Sequence, residues 1–234
     1  MFKRTLPPQN SRVTAINPVP CPELRAVLTP AYVPCASFTG ECSAYARWSP
    51  STGHIPRGFV GALGALEEVR LILIVAEPGD PFVTETYPEQ LSPDAYISLV
   101  CRTAYDALAA NRTAFHRNLR YLLDRCWPGE DLDAQLRKTW ITESFLCSAA
   151  RETAVVPRVA EISCARRYLA AQLALLKGRP VITLGGKATQ RTAPYAVAIN
   201  AFAAAPPGGN RRVARPSWDA AAALARRKLG LSEL

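Results

Sequence analysis

The chain has 234 residues, 28 of them Lys or Arg against 19 Asp or Glu, a formal charge of +9, and 49% are hydrophobic. That length builds one substantial domain with its own core and is short for two, and no apolar run approaches the roughly 20 residues of a membrane-crossing helix. The basic excess suits a polyanionic partner, of which nucleic acid is the commonest, and neither a membrane nor an obligate protein partner is indicated. Residues 1–22 carry five prolines and little periodicity, which predicts an extended or disordered arm, leaving 23–234 as a single domain. The first residues, Met1 to Pro8, lack the apolar core of a signal peptide, so a cytoplasmic location is expected. From Pro22 to Trp48 short apolar pieces mix with Pro, Gly and Ser, compatible with helix or loop, and Ser49 to Gly58 reads as a loop.

In the central strand read at Val69 to Val75, Leu71 to Val75 is a continuous aliphatic run that stops at Ala76-Glu77-Pro78-Gly79-Asp80-Pro81. Such a run, bounded by turn residues, reads as a strand buried on both faces, as in a parallel sheet. The turn then lies past the carboxyl end of a central strand, where open α/β sheets place ligands. Its two carboxylates, Glu77 and Asp80, can position a water or bind a polar group; equally, this is an exposed turn in which Asp80 caps the next element. Residues 82–92 look irregular. Ser92-Pro93 starts a helix running from Ala95 to Ala110. Phe115, Leu119 and Leu122 recur at helical spacing up to the turn at Trp127-Pro128-Gly129, with His116 read as a solvated residue of that helix. Lys138 to Cys147 predicts a second strand, and Arg158 to Lys177 a long helix with Ile162, Ala165, Leu169, Leu173 and Leu176 on one stripe. Pro180 to Leu184 is a third strand that opens at Gly185-Gly186 into a short helix, and Ala196 to Phe202 a fourth. Ser217 is read as the cap of a last helix, Trp218 to Leu229. Strands alternating with helices imply a three-layer α/β/α domain on a mainly parallel, four-stranded sheet.

Seven cysteines in a reducing compartment disfavour disulfides and leave buried thiols or metal ligands. Cys21, Cys101 and Cys126 stand alone. Cys35 and Cys42 are separated by six residues and Cys147 and Cys164 by sixteen, not the tight C-x2-C of a strong metal signal, so spacing by itself favours packing.

Several segments, in order, resemble the uracil-DNA glycosylase superfamily, closest to its iron–sulfur-containing type. They are Ala76-Glu77-Pro78-Gly79, Ala114-Phe115 with its Leu-rich helix, Trp140-Ile141-Thr142-Glu143-Ser144-Phe145-Leu146-Cys147, Cys164, the Gln172 helix, and Leu184-Gly185-Gly186-Lys187-Ala188. The resemblance covers roughly residues 35–229 and implies that family's three-layer fold and monofunctional removal of a deaminated base, such as uracil, from DNA. It places Glu77 as the catalytic carboxylate that orients water and stabilises the oxocarbenium-like sugar. Phe115 becomes the platform that stacks on an extruded base, with Ala76, Asp80 and Glu143 beside it as base-binding residues and His116 at the pocket edge. The loop Pro206, Pro207, Gly208, Gly209, Asn210, Arg211 and Arg212 would engage DNA, and Cys35, Cys42, Cys147 and Cys164 would hold a [4Fe–4S] cluster.

Two departures qualify this. Glu143 stands where the family has the Asn that reads uracil. An ionised Glu accepts hydrogen bonds but cannot donate to O4, whereas a Glu protonated through burial does both. The loop at 205–212 lacks the family's His, which stabilises charge on the leaving base. The alternative is therefore a DNA-binding member of the superfamily with weak or no catalysis. A third reading, an unrelated nucleotide-binding α/β protein, lacks support from any G-x-G-x-x-G or P-loop motif.

Overall fold

The computed structural model describes residues 17–149 and 155–232; residues 1–16 of the expected arm lie outside the described residues. Five strands form one sheet in the order β1-β3-β2-β4-β5: β1 (Val60–Gly61), β2 (Leu71–Val75), β3 (Thr139–Glu143), β4 (Val181–Leu184) and β5 (Ile199–Ala201). The four longer strands run parallel, with Leu73 level with both Ile141 and Ile182. The expected four-stranded sheet thus gains an antiparallel edge, β1, pairing Val60 with Ile141. Two residues are too few to show a period. Gly61 also has φ +108, and a Cβ there would stand 2.1 Å from the Thr139 carbonyl oxygen, so this edge depends on a glycine.

The aliphatic run of β2 is buried along its whole length because it supplies two cores at once. Ile72 and Ile74 join Trp140 and Val181 on one face, and Leu71, Leu73 and Val75 join Ile141 and Ile182 on the other. The first core takes residues from α1 (Pro22–Leu28), α2 (Pro93–Ala109), α5 (Arg158–Cys164) and α6 (Ala170–Leu175). The second takes them from α3 (Ala114–Cys126), α4 (Leu132–Lys138) and α8 (Ala214–Lys228). Helices therefore cover both faces of a mixed, mostly parallel sheet. Cys21 and Leu24 are packed in the first core, so the domain includes the last residues of the segment read as an arm. Among the described residues, no helix is long and apolar enough to cross a membrane.

Local chemistry accounts for most boundaries. Ser92 accepts a hydrogen bond from Ala95 N and Pro93 starts α2, as expected. Thr113 caps α3 by accepting from His116 N. The helix α4 escaped the sequence reading although Asp131, accepting from Ala134 N at 2.8 Å, is an ordinary N-cap. Between α5 and α6 a π-turn, Ala165–Leu169, inserts one residue. That rotates everything before it by about 100° relative to a regular helix. Ala165, Leu169, Leu173 and Leu176 are buried, whereas Ile162 falls off the stripe and is 43% exposed. The second strand stops at Glu143, short of Cys147. Ser217 is not a cap: α8 begins at Ala214, and the Ser217 hydroxyl accepts from Phe202 N at 3.0 Å, tying α8 to the chain leaving β5.

Candidate active site

A cavity of about 340 Å³ opens at the carboxyl ends of the parallel strands. Each wall comes from a different element: Ala76, Glu77 and Asp80 follow β2, Glu143 ends β3, Leu184 ends β4, Phe115 and His116 begin α3, and Ala203 to Ala205 follow β5. Arg57 and Gly58, just before β1, close the floor. All five residues assigned to catalysis or base binding (Ala76, Glu77, Asp80, Phe115 and Glu143) thus line one space. Asp80 is exposed at the rim and caps no helix, since the next helix is α2 with Ser92 as its cap. His116 is half-buried in the wall and not solvated on a helix face.

Glu77 is held by two cations from the helix that follows β4, α7 (Gly186–Thr192). Lys187 Nζ donates to one carboxylate oxygen and Arg191 Nη1 to the other. The Arg191 side chain is only 2% exposed, and it also donates to Glu161 at 2.7 and 2.9 Å and to the Ala76 carbonyl at 3.0 Å. Glu161 on α5, Arg191 and Glu77 therefore form a buried chain of alternating charge that fixes the turn after β2. Two ion pairs leave lone pairs on Glu77 for a water, since a carboxylate accepts at about four positions.

Glu143 differs from Glu77 in every respect. It is 5% exposed, and its Oε2 is buried without a hydrogen-bond partner. Burial, reinforced by the negative charge of Glu77 and opposed by Arg57 and Arg191, holds its carboxyl well above the usual carboxylate range. Gly58 makes the room: a Cβ there would come within 2.6 Å of Glu143 Cγ and Oε1, and its φ of +87 also favours glycine.

Arg57 ties the rim together. Its backbone N–H donates to Leu146 O at 2.8 Å, its guanidinium donates to Gly79 O, and it lies 3.7 Å from Glu85 Oε1. Glu85 in turn accepts from Tyr87 Oη at 2.8 Å and Phe82 N at 3.3 Å. Arg112 covers the Phe82 ring at 3.5 Å, and Phe82 faces His116. Burial and then the Arg112 charge push the His116 imidazole down to about 4, and its Nδ1 lies 2.7 Å from Thr113 Oγ1. A histidine held neutral brings no positive charge to the cavity.

That loop stands beside the cavity mouth, continuous with Ala203 to Ala205. Asn118 on α3 donates to Ala204 O at 2.8 Å, and a Cβ on Gly209 would meet that oxygen at 2.3 Å, so Gly209 is a packing requirement. Pro206, Pro207, Asn210, Arg211 and Arg212 are exposed, with Gly208 to Asn210 in a single 3₁₀ turn.

The four cysteines come from both predicted pairs and line one small cavity with Phe38, Phe145 and Tyr168. Burial and the neighbouring cysteines raise three of these thiols: Cys164 to about 12, Cys42 to about 11, and Cys147 well above its ordinary value. Arg167 Nη1 lies 3.4 Å from Cys35 Sγ. The space between them, about 20 Å³, has room for about one water, so the thiols pack against one another. Among the described residues no group of three or more His, Cys, Asp or Glu is placed to hold a single metal ion. A cluster spreads its ligands farther than one ion does. In donor chemistry the set of four thiols fits such a cluster. Cys21, Cys101 and Cys126 are buried singly, as expected.

Sequence reasoning missed Arg57, Gly58, Glu85 and Arg191. The i,i+4 pair Lys187 and Arg191, on the helix beside the turn, was the one available signal. Compared with models of known protein families and with curated protein sequences, the chain matches none.

Proposed function

We propose that the chain hydrolyses the N-glycosidic bond of uracil or another deaminated base in DNA. The observation that carries this reading is the meeting of Glu77, Phe115 and Glu143, from three different elements, in a single cavity of nucleobase scale. The base, rotated out of the stack, lies against Phe115, whose ring replaces lost stacking. Glu143 in its neutral form offers a donor and an acceptor side by side to the base edge. Glu77 holds the attacking water and stabilises positive charge on the sugar, a fixed charge aimed at where charge develops. Arg211 and Arg212 contact phosphates. Cys35, Cys42, Cys147 and Cys164 would hold an iron–sulfur cluster, which supplies a thiolate-bound, redox-capable group away from the cavity. A reaction on genomic DNA belongs in the cytoplasm of a cell without a nucleus.

The ion pairs of Glu77 favour a second reading, in which the cavity binds an extruded base without cleaving it. A panel of oligonucleotides, each carrying one lesion and treated with alkali after incubation, separates the two. Strand cleavage at one or more deaminated bases is expected. Tight lesion binding without cleavage on any member supports the second reading.

A further inference from the structure

We propose that Glu143 is the proton donor to the departing base: its side chain lines the cavity, its Oε2 is buried without a partner among the described residues, and its Cγ and Oε1 fill space that Gly58 leaves open. This rests on the glycosylase reading and adds to it the proton that the reaction needs. When the bond from C1′ to the base nitrogen breaks, the electron pair stays on the base, and without a donor the base leaves as an anion.

The other polar residues of the cavity are unsuited. His116 is neutral in the working range and its Nδ1 faces Thr113. Arg57 does not release a proton and is committed to Gly79 O beside Glu85. Glu85 accepts from Tyr87 and Phe82, and Asp80 lies at the exposed rim. Glu77 is clamped by Lys187 and Arg191. The charged groups facing Glu143 are Glu77 from the turn after β2, Arg57 from the segment before β1, and Arg191 from α7; burial with Glu77 outweighs the two cations and shifts the carboxyl towards its acid form. Pairs of carboxyls in such unlike surroundings take unlike roles, one acid and one charge.

The step balances. The C1′–N bond breaks, the Glu143 O–H proton passes to the base, and the base leaves neutral. The oxygen of one water, held at Glu77, bonds to C1′, and the proton that water loses returns Glu143 to its acid form. A neutral carboxyl also suits a base edge in which a carbonyl neighbours an N–H, the edge created when an exocyclic amine is lost to deamination.

The test is single-turnover excision across pH by the wild type and Glu143→Gln, which keeps size, donor and acceptor but has no proton to give. The wild type should lose activity on the alkaline side as Glu143 ionises. The variant should excise about 10²–10⁴-fold more slowly, the usual share of general acid catalysis, with that alkaline limb gone and lesion-DNA affinity retained. A variant with the wild-type rate and pH profile overturns the proposal. Infrared difference spectra give a readout independent of turnover: a protonated carboxyl band at neutral pH, present in the wild type and absent from the variant. Excision by a wild type that lacks this band overturns the donor role alone. A band in a wild type that excises nothing overturns the glycosylase reading and the donor role with it.

Discussion

Glu77→Gln is the perturbation that bears most directly on the cavity, and its two effects have different sizes and different readouts. Glu77 neutralises Arg191, whose side chain is 2% exposed. Removing the sole partner of a buried charge costs about 3–5 kcal/mol. Arg191 would keep Glu161 at 2.7 Å and the Ala76 carbonyl at 3.0 Å. The expected cost is therefore about 1–3 kcal/mol, the scale of a hydrogen bond to a charged group. For a chain of this length that lowers Tm by about 2–4 °C per kcal/mol. Excision should fall much further than stability does, by about two to three orders of magnitude, because a preorganised charge is lost at the reacting centre. Glu161→Gln is the matched control: it strips the other side of Arg191 from outside the cavity, so Tm should fall similarly while excision is retained. Thermal unfolding and single-turnover excision on the best lesion measure both. Parallel loss of excision in the two variants would show that Glu77 acts by placing Arg191, and an unchanged rate in Glu77→Gln would remove it from the mechanism.

DNA affinity should fall steeply with salt, and Arg211→Ala and Arg212→Ala should each reduce the slope of log K against log salt by about 0.9, one released phosphate contact; an unchanged slope takes this loop out of the interface. Protein purified without oxygen should contain iron and inorganic sulfide and absorb in the visible, with Cys147→Ser and Cys164→Ser losing both; colourless, iron-free protein means that the four thiols are core packing. His116, at about 4 in the fold against an ordinary 6.5, stays neutral while the unfolded chain takes up a proton. Stability should therefore decline as pH falls from about 6.5 towards 4. Denaturant titrations should show a shallower decline for His116→Gln, and an identical pH dependence refutes the depressed value.

The pieces of the fold legible in the sequence were those written in neighbouring residues. The unbroken aliphatic run of β2 announced burial on two faces, and it does feed two cores. Ser92-Pro93 announced the start of α2 because a cap needs only the next three residues. The misses have identifiable causes. A π-turn shifts the phase of a stripe without leaving a signature in hydrophobicity, so Ile162 was counted on the wrong side. Ser217 looked like a cap and instead bonds Phe202 N, a partner 15 residues away. The two-residue β1 is fixed by the close approach of Gly61 to Thr139 across the sheet.

Which residues meet at the cavity was also legible in the chain: a carboxylate past a buried strand at Glu77, an aromatic in a Leu-rich helix at Phe115, and an acid within the second strand at Glu143. What state each carboxyl adopts was not. Glu77 meets Lys187 and Arg191 over 110 and 114 residues of sequence, whereas Glu143 meets apolar walls, the Gly58 gap and the charge of Glu77. The sequence thus determined where the four parallel strands and some of the helix starts lie and several of the side chains that stand at the mouth of the sheet, because periodicity and capping act over a few residues. Only the tertiary structure decided that one of two chemically identical carboxyls is paired and the other desolvated, and that four cysteines from two distant pairs line one space, because desolvation and Coulomb interaction depend on whatever the folded chain brings within a few ångströms.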